Sequence, residues 1–75
     1  MRALDKIDTS TLGGRIRYAR VKRKLSQEEF GKKIHARIKT VSRWECGISI
    51  PTADYIAGIC REFNVSADWL LGLKR

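Results

Sequence analysis

The sequence of 75 residues predicts a compact all-α domain built from five short helices. Apolar residues recur three or four positions apart along most of the chain, and no long stretch alternates with a period of two. Residue types that begin helices precede these apolar stripes, and residue types that end helices follow them. The apolar fraction of 43% is ordinary for a globular protein, so one folded domain is expected.

The first helix is expected over about residues 12–23. The apolar residues on its inner face are Leu12, Ile16 and Ala19, which are four and then three positions apart. Residues 1–10 show no such stripe, and we interpret them as an N-terminal arm, with disorder as one alternative. The folded domain then comprises the remaining residues, 11–75.

Ser26 begins the second helix. Glu29 follows three positions later, which is the spacing of a capping box, in which the two side chains satisfy each other's free amides. Phe30 and Ile34 are four residues apart and give this helix a short buried edge. Because the helix has only about eight residues, its stability must come from tertiary packing.

The third helix is predicted over residues 37–45. Val41 and Trp44, three positions apart, form its inner face, and Gly47 ends it, as glycine commonly does after a helix. The residues expected to face outward are Ile38, Lys39, Ser42 and Arg43.

Thr52 begins the fourth helix and Asn64 ends it, because asparagine tolerates the left-handed conformation found there. The inner face of this helix is expected to carry Ile56, Ile59, Cys60 and Phe63. Ser66 begins a short fifth helix. Its apolar anchor is predicted to be Trp69, Leu70 and Leu71.

Positive charge is concentrated in one half of the chain. The net charge is +8; residues 1–44 hold thirteen Lys and Arg against four Asp and Glu, a net of +9, and residues 45–75 have a net of −1. A basic surface attracts polyanions, which favours nucleic acid as the partner. Charge alone leaves three alternatives: a solvated surface, an acidic membrane or an acidic protein.

Other function classes find little support in the sequence. The N-terminal arm carries Asp5 and Asp8 and has no apolar core, so it is not a signal peptide. No apolar run approaches the roughly 20 residues of a membrane span, and we expect a cytoplasmic protein without membrane contact. The two cysteines and the single histidine lack metal-site spacing, and reduced structural thiols are expected, with redox sensing as the alternative. No nucleophile pairs with a base and no glycine loop cradles phosphate, so neither an enzyme nor a cofactor is predicted.

Residues 27–44 satisfy the packing requirements of a helix-turn-helix unit. Apolar residues occur where two such helices press together and onto the core, at Phe30, Ile34, Ala36, Val41 and Trp44. Gly31 supplies the small residue that a close approach between the two helices requires. An ordinary helical hairpin that shares this pattern by chance is the alternative.

With these residues the chain resembles the Cro/lambda-repressor type of helix-turn-helix domain, also called the Xre family. The similarity extends from about Leu12 to Gly72. It is carried by Leu12-Gly13-Gly14-Arg15-Ile16-Arg17, Leu25-Ser26-Gln27-Glu28-Glu29-Phe30, Val41-Ser42-Arg43-Trp44-Glu45-Cys46-Gly47, Pro51 and Asn64-Val65-Ser66-Ala67-Asp68-Trp69-Leu70-Leu71. The order and spacing of these segments, more than any one of them, point to the family.

The resemblance implies that the third helix enters the major groove of DNA. The residues that it places against base edges are Ile38, Lys39, Ser42 and Arg43. Arg43 has the donors for two parallel hydrogen bonds to guanine, and Lys39 can reach guanine or phosphate. Ile38 is unusual at such a position: it either packs on a thymine methyl group or belongs to the core, and we favour the groove.

The resemblance also implies contacts with the DNA backbone. Gln27 matches a phosphate-binding position at the start of the second helix, where free amides and the helix dipole attract anions. Further phosphate contacts are expected from Arg37, Thr40 and Ser49. Arg20 and Glu45 match a charged pair that joins the first helix to the end of the third, with two separate solvated charges as the alternative.

Three positions and one loop depart from the family pattern. Lys24 and His35 replace glycines that are frequent in turns, and a left-handed backbone there costs about 1 kcal/mol. Arg37 replaces the serine or threonine that usually caps the third helix. The loop 48–50 lacks the usual basic residues, so its phosphate contacts are expected from backbone amides and Ser49.

The resemblance and the charge pattern together predict a sequence-specific regulator of transcription, a repressor of phage or bacterial type. We expect a homodimer, at least on DNA, because a two-fold pair fits an inverted-repeat operator. The expected dimer surface lies around Leu70 and Leu73, on condition that these leucines are exposed. The alternative is an antitoxin or adaptor that uses the same fold to bind a protein partner.

Overall fold

A computed structural model describes residues 3–73 of the chain. Within that range it contains five α-helices and no strand, as the sequence predicts. They are α1 (Leu12–Lys22), α2 (Gln27–Ile34), α3 (Ile38–Glu45), α4 (Ala53–Phe63) and α5 (Ala67–Leu70). A short 3-10 helix (Ala3–Lys6) precedes them.

Local hydrogen bonds explain why the helices begin where they do. The Ser26 hydroxyl accepts from the Glu29 amide at 3.0 Å, and the Glu29 carboxylate accepts from the Ser26 amide at 2.8 Å. The predicted capping box is therefore present. The hydroxyls of Thr11, Thr52 and Ser66 accept amide hydrogen bonds in the same way at the starts of α1, α4 and α5.

Left-handed residues end two of the helices and one turn. His35 follows α2 with φ of 62°, Asn64 follows α4 with φ of 54°, and Lys24 has φ of 59° in the turn after α1. The sequence analysis expected all three, including the two positions where glycine is usual. Gly47, with φ of 75°, reverses the chain after α3.

The core lies between the inner faces of the helices. α3 packs against α1 and α2, while α4 packs against α2 and α5. The rings of Phe30 and Phe63 stack with their centroids 4.3 Å apart. The buried residues that form the core are Ile16, Phe30, Ile34, Ala36, Val41, Trp44, Ile56, Ile59, Phe63 and Leu70. Ala19 is buried as predicted, whereas Leu12 and Cys60 are only partly buried.

The anchor of α5 differs from the prediction. Leu70 is completely buried, Trp69 is partly buried against Tyr18, and Leu71 is 43% exposed. α5 is a single turn of four residues, so Leu70 and Trp69 pack against the core while Leu71, which follows the helix, does not. Leu70 is therefore not available to the expected dimer surface, whereas Leu73 is 72% exposed, and the expectation of a dimer through this end of the chain stays a prediction.

Arg15 joins α1 to the segment directly before it and to the distant end of α5. Its Nε donates to the carbonyl of Leu70 at 2.8 Å, and its Nη1 donates to the carbonyl of Thr9 at 2.8 Å. The segment before α1 and the end of α5 are thereby fastened to α1.

Met1 and Arg2, the first residues of the predicted arm, lie outside the described residues. The division into 1–10 and 11–75 stays a prediction.

None of the helices described here is long and apolar enough to cross a membrane.

Candidate nucleic-acid interface

α3 is held from behind by close backbone packing. Its inner residues Val41 and Trp44 are buried, and Trp44 meets the Tyr55 ring edge-on at 5.0 Å between centroids. A methyl group added at Gly13 of α1 would overlap the Trp44 carbonyl oxygen. Glycine therefore allows α1 to approach the end of α3 closely. This packing holds α3 in place with its outer face toward solvent.

Gly31 of α2 makes a comparable approach, but its partner differs from the prediction. A methyl group there would overlap the carbonyl oxygen of Ala36 in the turn, while Val41 of α3 lies at ordinary contact distance, 3.4 Å. The Ala36 amide also donates to the Gly31 carbonyl at 2.8 Å. The requirement for a small residue therefore comes from the turn and not from the crossing of α2 and α3.

The outer face of α3 carries the four predicted base-contacting residues. Lys39 and Arg43 are exposed, Ser42 is partly buried, and Ile38 is 51% exposed. These positions lie one, four and five residues from the first, so they share one side of the helix. The exposure of Ile38 rules out the alternative that it belongs to the core.

The start of α3 is open to an anion. Arg37 precedes the helix in extended conformation and makes no side-chain cap, and the first turn contains no acidic residue. Arg37 is exposed and Thr40 is partly buried. Uncapped amides, a positive dipole end and a guanidinium together favour a phosphate over solvent.

The start of α2 offers a second set of amides. Within residues 3–73, the amides of Gln27 and Glu28 donate to no acceptor, because Ser26 caps only the Glu29 amide. The Gln27 side chain donates to Glu45 at 3.3 Å, which holds this residue beside the end of α3. The predicted phosphate position is therefore tied directly to the helix that carries the predicted base-contacting residues.

Arg20 and Glu45 form the ion pair at the centre of this arrangement. Nε and Nη2 of Arg20 donate to the two carboxylate oxygens at 2.7 and 3.0 Å, and Nη1 donates to the Leu25 carbonyl at 2.9 Å. Both side chains are largely withdrawn from solvent. A two-pronged pair of this kind fixes orientation. It ties α1, the turn before α2 and the end of α3 into one unit.

The loop after α3 differs from what the sequence suggested. Ser49 is exposed, but the amides of Ile48 and Ser49 both donate to the Arg43 carbonyl, at 2.9 and 3.4 Å. These two amides already have an acceptor within the protein, so a phosphate contact by this loop is left to the Ser49 side chain and the Ile50 amide, and it stays a prediction. The sequence analysis also missed the isoleucines on either side of Ser49: Ile48 is 74% and Ile50 is 75% exposed.

No group of three metal-ligating side chains comes together in the part of the chain that the structure describes. Cys46 is exposed, while burial raises the pKa of the partly buried Cys60 thiol.

Comparison with known proteins agrees with this geometry. A family model described as helix-turn-helix matches residues 16–70. A solved structure of the P22 c2 repressor protein, in complex with a synthetic operator, superimposes with a TM-score of 0.79 and 29% sequence identity. The match covers 83% of this chain and 94% of that one. No curated protein matches the sequence.

Proposed function

Because the chain belongs to the helix-turn-helix family, of the Cro and lambda-repressor type, we propose that it is a DNA-binding regulator of transcription. The observation that carries this proposal is the outer face of α3. Its inner side is buried and fixed through Trp44 and Glu45, while Lys39 and Arg43 extend from the opposite side into solvent. A helix presented in this way fits the width of the major groove.

Each residue on this face has a defined role in the proposal. Arg43 donates two hydrogen bonds to guanine, and Lys39 donates to a neighbouring guanine or to phosphate. Ser42 forms one hydrogen bond with a base edge, and Ile38 packs on a thymine methyl group. These four contacts supply the sequence preference.

The phosphate contacts position the protein on the duplex. The free amides at Gln27 and Glu28, together with Arg37, Thr40 and Ser49, surround the face of α3 and bind the backbone on both sides of the groove. Two copies bind the halves of an inverted repeat, and occupancy of such an operator represses transcription. A duplex operator as the partner supports a cytoplasmic location.

The test is selection of bound sequences from random duplex DNA by the purified protein. The expected result is one inverted repeat with a guanine in each half. Recovery of an unenriched pool at low ionic strength contradicts the proposal. The Arg43→Ala variant, selected in parallel, is expected to lose the guanine while keeping the rest of the site.

A second candidate function is capture of a protein partner, as in an antitoxin or adaptor. It is favoured by the half-exposed Ile38 on the proposed face, where a charged or polar side chain is the usual base reader. This function predicts a stoichiometric complex with a protein partner that the Ile38→Ser substitution disrupts. It also predicts that the selection enriches no duplex sequence. An antitoxin that also binds its own promoter satisfies both proposals.

A further inference from the structure

A hollow borders α1 on the side away from α3. It has a volume of about 470 Å³ and lies between the end of α1, the end of α4 and Trp69 of α5. Gly13 and Arg20 face α3 from one side of α1, whereas Tyr18 and Lys22 line the hollow. At 3.6 residues per turn, these two pairs lie on roughly opposite sides of the helix. A duplex held by α3 would therefore leave the hollow open.

Three aromatic rings line this space, which we call the aromatic hollow. The rings of Tyr18 and Trp69 have centroids 6.0 Å apart and meet at 60°, so they form a corner. Phe63, which is buried, and Val65, which is partly buried, add further apolar surface. Sites for small molecules measure about 300–1,000 Å³ and are lined mainly by apolar and aromatic side chains. The aromatic hollow has both properties.

Two cations lie beside the rings. The guanidinium carbon of Arg23 is 5.7 Å from the centroid of the Phe63 ring, which is a cation–π distance. The Arg23 amide donates to the Arg20 carbonyl at 3.1 Å, so its backbone is fixed at the end of α1. Lys22 precedes it and is exposed. Within residues 3–73 neither cation pairs with a carboxylate, and none of the described residues that line the hollow is acidic.

The combination of cations and rings is what points to a ligand. Cations at the end of a helix are ordinary by themselves, because they face the negative end of its dipole. Here they also border a concave space with an aromatic corner, in which a flat apolar group can pack. A carboxylate on that group would find two cations without a partner. Asn64, which is exposed at the edge of the hollow, adds a neutral side-chain amide that can donate a hydrogen bond.

A second hollow, between α2 and α4, lacks this complementarity. It has a similar volume, about 480 Å³, but its lining includes Lys33 and Arg61 together with Asp54 and Glu62. Because these charges cancel, that hollow favours neither an anion nor a cation. The aromatic hollow is therefore the better-defined site.

We propose that the aromatic hollow binds a small aromatic carboxylate, whose ring packs in the corner formed by Tyr18 and Trp69 and whose carboxylate pairs with Lys22 and Arg23. A protein segment as the occupant would need roughly 800 Å² of surface for a stable complex. The aromatic and charged groups here instead border one hollow of small-molecule size, which favours a small ligand. This site is independent of the proposed DNA binding.

The test uses naphthaleneacetate as the probe, with its uncharged amide and with acetate as comparison compounds. Binding is followed in proton–nitrogen correlation spectra of the complete chain without DNA. The double variant Lys22→Gln/Arg23→Gln removes the two cations. The matched control, Lys32→Gln/Lys33→Gln, removes the same charge from exposed residues of α2. Circular dichroism verifies that both variants fold.

The expected result is a saturable shift of the Trp69 indole signal and of the amides around Lys22 and Asn64. With about 14 non-hydrogen atoms at ordinary ligand efficiency, naphthaleneacetate should bind with a Kd of about 1 mM or lower. Replacing the probe by its amide, or the wild type by the double variant, should weaken binding about tenfold. The control variant should bind like the wild type.

Three outcomes overturn the inference: equal binding of naphthaleneacetate and its amide, full binding by the double variant, or shifts spread over the surface as with acetate. A further arm uses a five-residue acidic peptide with one central tryptophan. Binding of this peptide at the hollow without binding of naphthaleneacetate assigns the hollow to a protein partner and also overturns the inference. All of these outcomes leave the DNA-binding proposal intact, because the measurements contain no DNA.

Discussion

His35 adopts a left-handed backbone that glycine adopts without strain. Its φ of 62° places it among the few non-glycine residues in this region, and its side chain is exposed. His35→Gly is therefore expected to raise the free energy of unfolding by about 0.5–1 kcal/mol. In thermal melting, His35→Gly should have a higher midpoint than the wild type, whereas the midpoint of His35→Ala should not increase. A lower midpoint for the glycine variant would mean that the turn is not strained.

Arg43 is expected to read a base, and its replacement separates base reading from general attraction. Arg43→Ala should reduce discrimination at one base pair by about 1–3 kcal/mol. Arg61→Ala removes the same charge from an exposed site on α4 and serves as the control. Competition assays with duplexes changed at single positions measure the effect. Equal weakening on every sequence would show that Arg43 contacts only phosphate.

Among the helices, α2 depends on a capping box that includes an ionisable group. The Ser26 amide, and secondarily the Ser26 hydroxyl, hold the pKa of Glu29 below its ordinary value. Because the folded pKa is lowered, the stabilisation by Glu29 is present above the unfolded value of about 4.3 and is lost as the pH falls through the folded pKa. The capping box should therefore weaken in mild acid.

Glu29→Gln tests this pH dependence. Glutamine keeps a hydrogen-bond acceptor for the Ser26 amide but cannot titrate. In urea unfolding, the free energy of unfolding of the wild type should exceed that of the variant at neutral pH. This difference should shrink below about pH 4. Glu62→Gln, which removes a carboxylate outside any capping box, is the control. A difference that stays constant from pH 3 to pH 7 would assign the effect to something other than ionisation of Glu29.

All five helices could be predicted from the sequence because their signals are local. Serine or threonine at four starts and asparagine or glycine after the ends act within one turn, and the apolar stripes act within two. The anchor of α5 could not be predicted, since a four-residue turn has no periodicity that separates Leu70 from Leu71. The partner of Gly31 was misjudged because it is a carbonyl group in the turn, which no side-chain pattern reveals.

The candidate site was predictable to a different degree. Spacing within α3 placed Lys39 and Arg43 on the outer face, as found, and left Ile38 open until its exposure was known. The hydrogen bonds of the loop amides depend on how the chain turns after α3 and returns the Ile48 and Ser49 amides to the Arg43 carbonyl, which residue types alone do not specify. A hollow of about 360 Å³ between the start of α1, at Leu12 and Gly13, and the loop 47–50 joins residues more than thirty positions apart, which a single sequence does not reveal.

For the molecule as a whole, the uneven charge predicts a strong dependence of binding on salt. Residues 1–44 have a net charge of +9, so most counterion release comes from this half. If one domain neutralises about six phosphates, log Kd should rise with log salt with a slope near 5. Fluorescence anisotropy on the single half-site at 50–300 mM KCl measures this slope. A slope near zero would contradict an interface built on phosphate contacts.

The two tryptophans occupy positions that differ in what their light emission can report. Trp44 is buried on the inner face of α3, while Trp69 is partly buried beside Tyr18 of α1. In a Trp69→Phe protein the indole of Trp44 becomes the sole strong fluorophore. Its emission spectrum then reports how α3 packs on the other helices, both in the free protein and in the protein bound to DNA. Trp44 is thus an intrinsic fluorescence probe of the helix on which the proposed activity depends.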